Sequence, residues 1–420
     1  MERLLYITHR LPFPPDKGER LRAWHQIRAL AAEYELTLAS LVHGPVHPDH
    51  IDACRQVCAD VITAPAGGKR GLLRGGTGFL AGRSVTQGYF HSPQLMKQLV
   101  HANRDKPFDI VFGYCSSTLP YVQAIPARKR ILDLVDVDSL KWQAYADTAR
   151  GPKRWVYAAE ARRVAALERQ AVELCDAVLL VSQPEVDAFH ARANNVHAVG
   201  NGVDTDYFQP AGDPVSPPRV VFTGTMNYAP NVEGVLWFVR EVWPAVRKSV
   251  PAAGFDIVGR DPTPEIRRLD GRDGIRVTGT VDDVRPYLSA ATCAVCPLLT
   301  ARGIQNKILE ALAMARPVIA TPAAAEGIDA NEDEGVSVAQ DPAEWARLLC
   351  HALDNPVDGS ARHAIRHSAE NRFSWSAQLE QLENILAADP AARTAEVIRR
   401  QRLDACKAGT CCRDHVPNYR

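Results

Sequence analysis

The chain has 420 residues, of which 46% are hydrophobic, and its 49 Lys plus Arg balance 49 Asp plus Glu. This length exceeds one ordinary core and calls for two domains of roughly 200 residues each. The balanced charge excludes a global electrostatic attraction to nucleic acid, so any basic surface has to be local. No run of about 18 apolar residues occurs, and MERLLYITHR has neither the length nor the cleavage pattern of a signal peptide, so a cytoplasmic protein is expected. The ten cysteines show no disulfide-framework spacing.

From the start, LLYIT (4–8) reads as a short apolar strand, followed by the proline-rich HRLPFPPDKGER, a helical pattern from Leu21 to Ala31 and a strand over 36–42. Strand, loop, helix, strand opens a Rossmann-like unit, with its loop at the carboxyl edge where ligands bind. Gly18 in that loop either lets the backbone approach a phosphate or sugar, or is a simple turn glycine. Residues 64–83 carry Lys69, Arg70, Arg74 and Arg83, several glycines and no acid. They read as a mobile, solvated loop, although the interleaved Leu72, Leu73, Phe79 and Leu80 also suit contact with an anionic membrane surface.

Strands over 108–114 and 130–136 continue the alternation, with a short helix between them. The second runs into DLVDVDS, placing Asp133, Asp136, Asp138 and Ser139 at the strand end. A D-x-D pair can hold a divalent cation against a diphosphate. With a following Ser it also matches a dehalogenase-type aspartate nucleophile, but that nucleophile closes the first strand of its domain, whereas this motif follows several strand–helix units. A carboxylate here can instead orient a sugar hydroxyl or act as a base.

A long Arg-rich helix is expected over 151–175, a strand over 176–182 and a helix over 184–192, and Asn201-Gly202 is a strong turn signal. QPAGDPVSPP (209–218) reads as an interdomain linker. The pattern then restarts with a strand over 219–224, a helix over 231–249 burying Leu236, Val239, Val242 and Trp243, strands at 255–259, 275–279 and 294–299, and a helix over 284–291. Cys293 and Cys296 form a C-x-x-C within a strand-like run, where residues three apart point to opposite faces, which argues against a metal or redox pair.

The segment RGIQNKILEALAMARPVIAT (302–321) reads as a loop, a helix and a buried strand in succession. Ile304, Ile308, Ala311, Leu312 and Ala315 form an apolar stripe, while Asn306, Lys307 and Glu310 share another face near the helix start. A helix N-terminus with Arg302, Gly303 and Lys307 around it is a natural seat for a phosphate. A carboxylate in the same place points to a second task, such as gripping hydroxyls. The plain alternative is a buried amphipathic helix whose Lys and Glu merely pair.

Two Rossmann-like halves with this helix in the second resemble the GT-B glycosyltransferases, and more narrowly retaining glycosyltransferase family four. Within that family the chain is similar to the sugar transferases associated with exosortase and PEP-CTERM exopolysaccharide systems. The matching pieces are FPPDKGER (13–20), LVDVDSLKW (134–142), VGNGVDTDYFQP (199–210), VFTGTMNYAPN (221–231), NKILEALAMARPVIAT (306–321) and FSW (373–375). The resemblance implies an α/β GT-B fold: an acceptor domain over 1–208, a linker over 209–218 and a donor domain over 219–372. A helix over 373–388 would pack back on the first domain, and 389–420 would be a polar tail.

The same resemblance implies retaining transfer from a UDP- or GDP-sugar to a lipid-linked saccharide, without metal or other cofactor and without nucleic acid. The protein would be cytoplasmic, with peripheral contact at the inner membrane face. Donor contacts fall on Gly18, Gly224, Asn227, Arg260, Gly303, Asn306, Lys307 and Glu310, the last holding ribose. Asp136 and Asp138 would face the reacting sugar. The family's other Glu, eight positions before Glu310, is here Arg302, and the Arg and Lys common after the strand matching VVFTG are absent from TMNYAPN. Arg302 and Lys307 are therefore expected to supply the charge for the diphosphate. A sugar-nucleotide 2-epimerase shares the two-domain architecture and the same cleft, and a non-catalytic binding module is a third reading, with the cleft residues retained for ligand sensing.

Overall fold

The computed structural model describes residues 1–15, 18–191, 193–301 and 303–388. Met1–Leu379 form one compact unit and Glu380–Arg420 a second, of which the end of the helix Trp375–Ala387 is described. The first unit contains two parallel sheets. One joins β1 (Arg3–Thr8), β2 (Glu35–Val42), β3 (Asp60–Pro65), β4 (Ile110–Tyr114), β5 (Lys129–Val135), β6 (Ala177–Leu180) and β7 (Val196–Ala198) in the order β3-β2-β1-β4-β5-β6-β7. The other joins β8 (Arg219–Thr223), β9 (Gly254–Val258), β10 (Ile275–Gly279), β11 (Cys293–Cys296), β12 (Val318–Ala320) and β13 (Val336–Val338) in the order β10-β9-β8-β11-β12-β13.

Both orders reverse direction beside the first strand of their set, between β1 and β4 and between β8 and β11. That is where the carboxyl ends of parallel strands leave a crevice for a ligand. The central strands are apolar on both faces because helices cover both sides of each sheet. Leu4, Leu5, Tyr6 and Ile7 of β1 are fully buried, as are Val220 and Val221 of β8.

Several expected elements change form. The 64–83 segment is no loop: Gly68–Leu80 is a helix, followed by a short one over Val85–Tyr89. Its glycines are what permit this, since a Cβ on Gly71 would lie 3.0 Å from the carbonyl of Tyr89 and one on Gly75 3.1 Å from that of Val85. Close helix packing thus overrides glycine's poor helix propensity. The Asn201-Gly202 pair makes no turn; Gly202 is needed because a Cβ there would fall 2.5 Å from Cα of Trp375. The expected helix over 231–249 contains a π-helical turn, Phe238–Val242, ahead of Pro244. This turn rotates the buried face onto Val235, Phe238, Val242, Trp243 and Val246, leaving Leu236 and Val239 only partly buried.

Cys293 and Cys296 are buried free thiols, pushed up to about 12 and about 11 by burial. The Trp375 indole stacks on the His25 imidazole of the helix Gly18–Glu33 at 4.4 Å, and Val203 N–H donates to Phe373 O at 2.7 Å.

Candidate active site

The carboxyl edge of the first sheet is built under backbone constraint. Val135 closes β5 with φ +70°, a region that costs a β-branched residue about 1–3 kcal/mol. Cys115, just past β4, has φ +68°. Asp133 overdetermines this edge, because its fully buried carboxylate accepts from Arg22 Nε and Gln26 Nε2, both at 2.8 Å, and from Val135 N–H at 3.0 Å. The Asp133 of the DLVDVDS motif is therefore a framework group turned inward. The kink aims Asp136 and Asp138 the other way.

Asp136 forms no side-chain hydrogen bond among the described residues. Burial pushes its carboxyl up to about 6, helped by Glu185 and Asp138 and opposed by Lys141 and Arg22. Asp138 opens the helix Asp138–Thr148 and accepts from Ser116 Oγ at 3.2 Å. Its pKa is raised by burial, against Lys141, the Ser116 bond and His9. His9, just past β1, stacks parallel to Tyr114 at 6.3 Å and lies 3.7 Å from the Glu19 carboxylate. The His9 bond holds Glu19 down to about 2.

The second sheet presents its edge through missing side chains. Gly259, after β9, has φ +149°, and a Cβ there would fall 1.7 Å from the Gly224 carbonyl. A Cβ on Gly224 would in turn meet Asn231 Nδ2 at 2.8 Å and Lys307 Nζ at 3.1 Å. Beside this gap the helix Asn306–Ala313 begins. Ile308, Ala311 and Leu312 are buried against the core, leaving Lys307 and Glu310 on a partly open face.

Lys307 Nζ donates to Asn231 Oδ1 at 2.7 Å and lies 4.3 Å from the Phe222 ring centre. Burial lowers its pKa, against the pull of Cys296 and Glu310. Glu310 has no side-chain hydrogen bond or ion pair among the described residues, and burial pushes it up to about 7 despite Lys307. A poorly solvated carboxylate without a partner is costly to bury and suited to accept ligand hydroxyls.

The two edges approach each other. A Cβ on Gly303, which has φ +64°, would lie 2.9 Å from Asp136 Oδ1. Asn306 Oδ1 accepts from Asn201 Nδ2 at 3.3 Å, and a Cβ on Gly18 would come within 4.0 Å of Asn306 Nδ2. Arg22 extends this link, donating to Gly200 O at 2.8 Å and Asn201 Oδ1 at 3.1 Å. Gly18, Gly303 and Asn306 thus line the meeting of the two sheets with Asp136, while Lys307 and Glu310 follow Asn306 on its helix and Gly224 lies against Lys307. Arg260 follows β9 and makes no side-chain hydrogen bond or ion pair among the described residues; its carbonyl accepts from Met226 N–H. Asn227 is exposed and makes no side-chain hydrogen bond or ion pair among the described residues. Arg302 lies outside the described residues.

Sequence reasoning passed over Arg22, His9, Asn231 and Lys141. The signals available were an arginine and a glutamine four positions apart on a helix that otherwise buries apolar residues, a histidine just after a strand, and the last and penultimate residues of two quoted motifs. Among the described residues no cluster of His, Cys, Asp and Glu is placed to hold a metal ion.

Residues 217–355 match the family described as Glycosyl transferases group 1. Residues 217–355 form a group 1 glycosyltransferase domain. This glycosyltransferase domain holds Gly224, Lys307 and Glu310, and the chain around it has the GT-B fold. Sucrose-phosphate synthase of Thermosynechococcus elongatus superposes with a TM-score of 0.67 at 17% identity, covering 92% of this chain and 98% of that one. HepE of Anabaena, solved in complex with UDP and glucose, gives 0.63 at 15% identity, covering 92% and 100%.

At such identities the likeness speaks for the fold. In sequence, the alpha-maltose-1-phosphate synthase of Mycolicibacterium smegmatis is 27% identical over 266 residues, 56% of this chain and 60% of that protein. The chain spans 41% and 60% of the length of the two curated relatives it matches.

Proposed function

We propose that this glycosyltransferase moves a sugar, with retention, from a nucleotide-sugar donor to a saccharide acceptor carried on a lipid. The observation that carries the reading is Lys307 and Glu310 together on one helix start, beside a glycine-cleared strand edge, with Gly303 of the preceding loop against Asp136. Glu310 accepts from the ribose hydroxyls. Lys307, Arg302 and Arg260 meet the charge that grows on the leaving diphosphate, with the N-terminus of the helix Asn306–Ala313 behind them.

The bond between the sugar C1 and the donor phosphate oxygen breaks, and the acceptor hydroxyl oxygen bonds to C1 on the same face. The acceptor proton passes to a donor phosphate oxygen, and the nucleoside diphosphate leaves. Asp136 and Asp138 orient the reacting sugar. A donor of the UDP type is supported by the UDP and glucose named for HepE. Transfer is favoured over epimerisation by the matched domain.

Contact with an anionic membrane is supported by the helix Gly68–Leu80, which exposes Leu72, Leu73 and Leu80 beside Lys69 and Arg70. Its neighbour, the helix Pro152–Leu174, begins with exposed Lys153, Arg154, Trp155 and Val156. The two are tied together by Arg163, whose guanidinium lies 4.0 Å from the Phe79 ring centre and donates to Arg83 O.

UDP-, GDP- and dTDP-sugars scored for nucleotide release with a lipid-extract acceptor test the reaction. Release from at least one donor is expected. No release from any donor, or formation of an epimer without an acceptor, overturns it. Sedimentation with anionic vesicles tests the surface: Leu72→Glu with Leu73→Glu should abolish binding that the parent chain shows.

A further inference from the structure

The helix Asp138–Thr148 carries more than its first carboxylate. Asp138, Lys141, Trp142 and Tyr145 recur at three- and four-residue spacing, so they form one stripe that starts at the site and runs outward. The stripe covers about 10 Å of helix axis. Trp142 and Tyr145 meet edge to face at 5.8 Å, and Tyr157 of the helix Pro152–Leu174 joins them at 5.7 and 6.1 Å. This aromatic cluster is not part of the core that holds Leu134 and Val137. Tyr145 is 47% exposed, and Tyr228, which follows β8 in the glycosyltransferase domain, is 60% exposed.

None of Trp142, Tyr145, Tyr157 and Tyr228 makes a side-chain hydrogen bond among the described residues. Their polar ends are therefore available to a ligand. Lys141 stands between the cluster and the carboxylates. Burial opposes its charge, but Asp138, Tyr145, Asp136 and Tyr228 more than offset this and raise its pKa.

Packing alone does not account for an exposed Tyr145 and half-buried Trp142 and Tyr157 on a surface that begins at Asp136 and Asp138. A solvated helix face needs no Trp and Tyr at successive turns, and the stripe is continuous with the place where the acceptor hydroxyl has to arrive. Sugar rings offer apolar C–H faces to stack on aromatic rings and hydroxyls to bond phenol and indole groups. The far end of the stripe turns back through the hairpin toward exposed Trp155 and Val156, the surface assigned above to the membrane.

We propose that Trp142, Tyr145 and Tyr157, with Lys141 and Tyr228 at the inner edge, form an acceptor subsite. It takes a chain of at least two sugars, the terminal ring at Asp136 and Asp138 and the second ring stacked on the aromatic cluster. This assignment rests on the transferase reading above and deepens it: the acceptor is an oligosaccharide, and a monosaccharide on a lipid is a poor one.

The test uses the full chain and octyl glycosides of glucose, galactose and mannose, each monosaccharide against its disaccharide, titrated by intrinsic fluorescence. At least one disaccharide glycoside should bind at least tenfold tighter than its own monosaccharide. Trp142→Ala and Tyr145→Ala should abolish that preference, Trp142→Phe should keep most of it, and Lys248→Ala on an outer face serves as control. Melting curves identify a variant that has lost its fold, and exposed Tyr145 gives the safer substitution. The subsite is overturned if no disaccharide is preferred, or if the preference survives both alanine variants in folded protein. Consumption of sugar nucleotide is read in parallel. A parent chain that prefers disaccharides but consumes no donor defeats the transferase reading alone, and one that consumes donor but ignores acceptor length defeats the subsite alone.

Discussion

The two sheet edges that meet at the site are made in opposite ways. The first is held by added interactions: a buried Arg22–Asp133 pair, a bulge at β5 and two residues in left-handed backbone, which together aim Asp136 and Asp138 outward. The second is held by subtraction, with Gly259 making room for the Gly224 carbonyl and Gly224 for Asn231 and Lys307. On the proposed reading, the carboxylates are aimed at one bond and need a rigid mount, whereas a diphosphate and a ribose need volume and a few charges around them. Damage should accordingly show as lost stability on the first edge and as lost turnover on the second.

The largest expected effect is on the first edge. Arg22→Ala leaves the fully buried Asp133 without its cation and strips the donors from Gly200 O and Asn201 Oδ1. Removing one partner of a buried pair costs about 3–5 kcal/mol. Urea unfolding should report a loss of that size; a loss below about 1 kcal/mol would show that the pair does not mount this edge.

On the second edge, Lys307→Ala should lower turnover by about 10²–10³, the usual cost of removing one donor to a developing anion. Its effect on stability should be smaller, because Asn231 keeps its bond to Thr225 O. Arg302→Ala is expected to behave in the same way, and Lys248→Ala, on an exposed outer position, to change neither quantity. Equal turnover in all three variants would remove the diphosphate assignment. Nucleotide release at saturating donor is the measurement.

The same contrast explains what could be read from the sequence. Alternating apolar strands and helical stripes are local signals, so the two Rossmann-like halves and the helix carrying Lys307 and Glu310 were legible from spacing alone. The glycine-rich stretch around Gly71 and Gly75 was not, because what makes it helical is the approach of Tyr89 and Val85. The inward turn of Asp133 depends on Arg22, 111 positions earlier in the chain, and on the left-handed backbone at Val135, neither of which leaves a mark in DLVDVDS. Asn231 stood in a quoted motif, yet its bond to Lys307 exists only once two separate strand–helix units are packed. Gly202 misled in the opposite direction, since its local signal was for a turn and its actual reason is Trp375.

The smallest expected effect separates the two edges by pH. Glu310 is held up at about 7 by burial, so its raised pKa favours the folded state at low pH, and that contribution is lost as the pH rises from about 4.5 through 7. Glu310→Gln removes this loss. The variant's melting temperature should therefore depend less on pH across that window and should match or exceed the parent's above pH 7, a difference on the order of 1 kcal/mol. Donor binding should move the other way. Ribose hydroxyls bond best to the ionised carboxylate, so affinity for UDP in the parent should rise through pH 7, and in Glu310→Gln it should be weaker and flat. A parent whose UDP affinity ignores pH while its melting temperature follows the predicted window would make Glu310 a buried acid of the framework, and the second edge would then resemble the first.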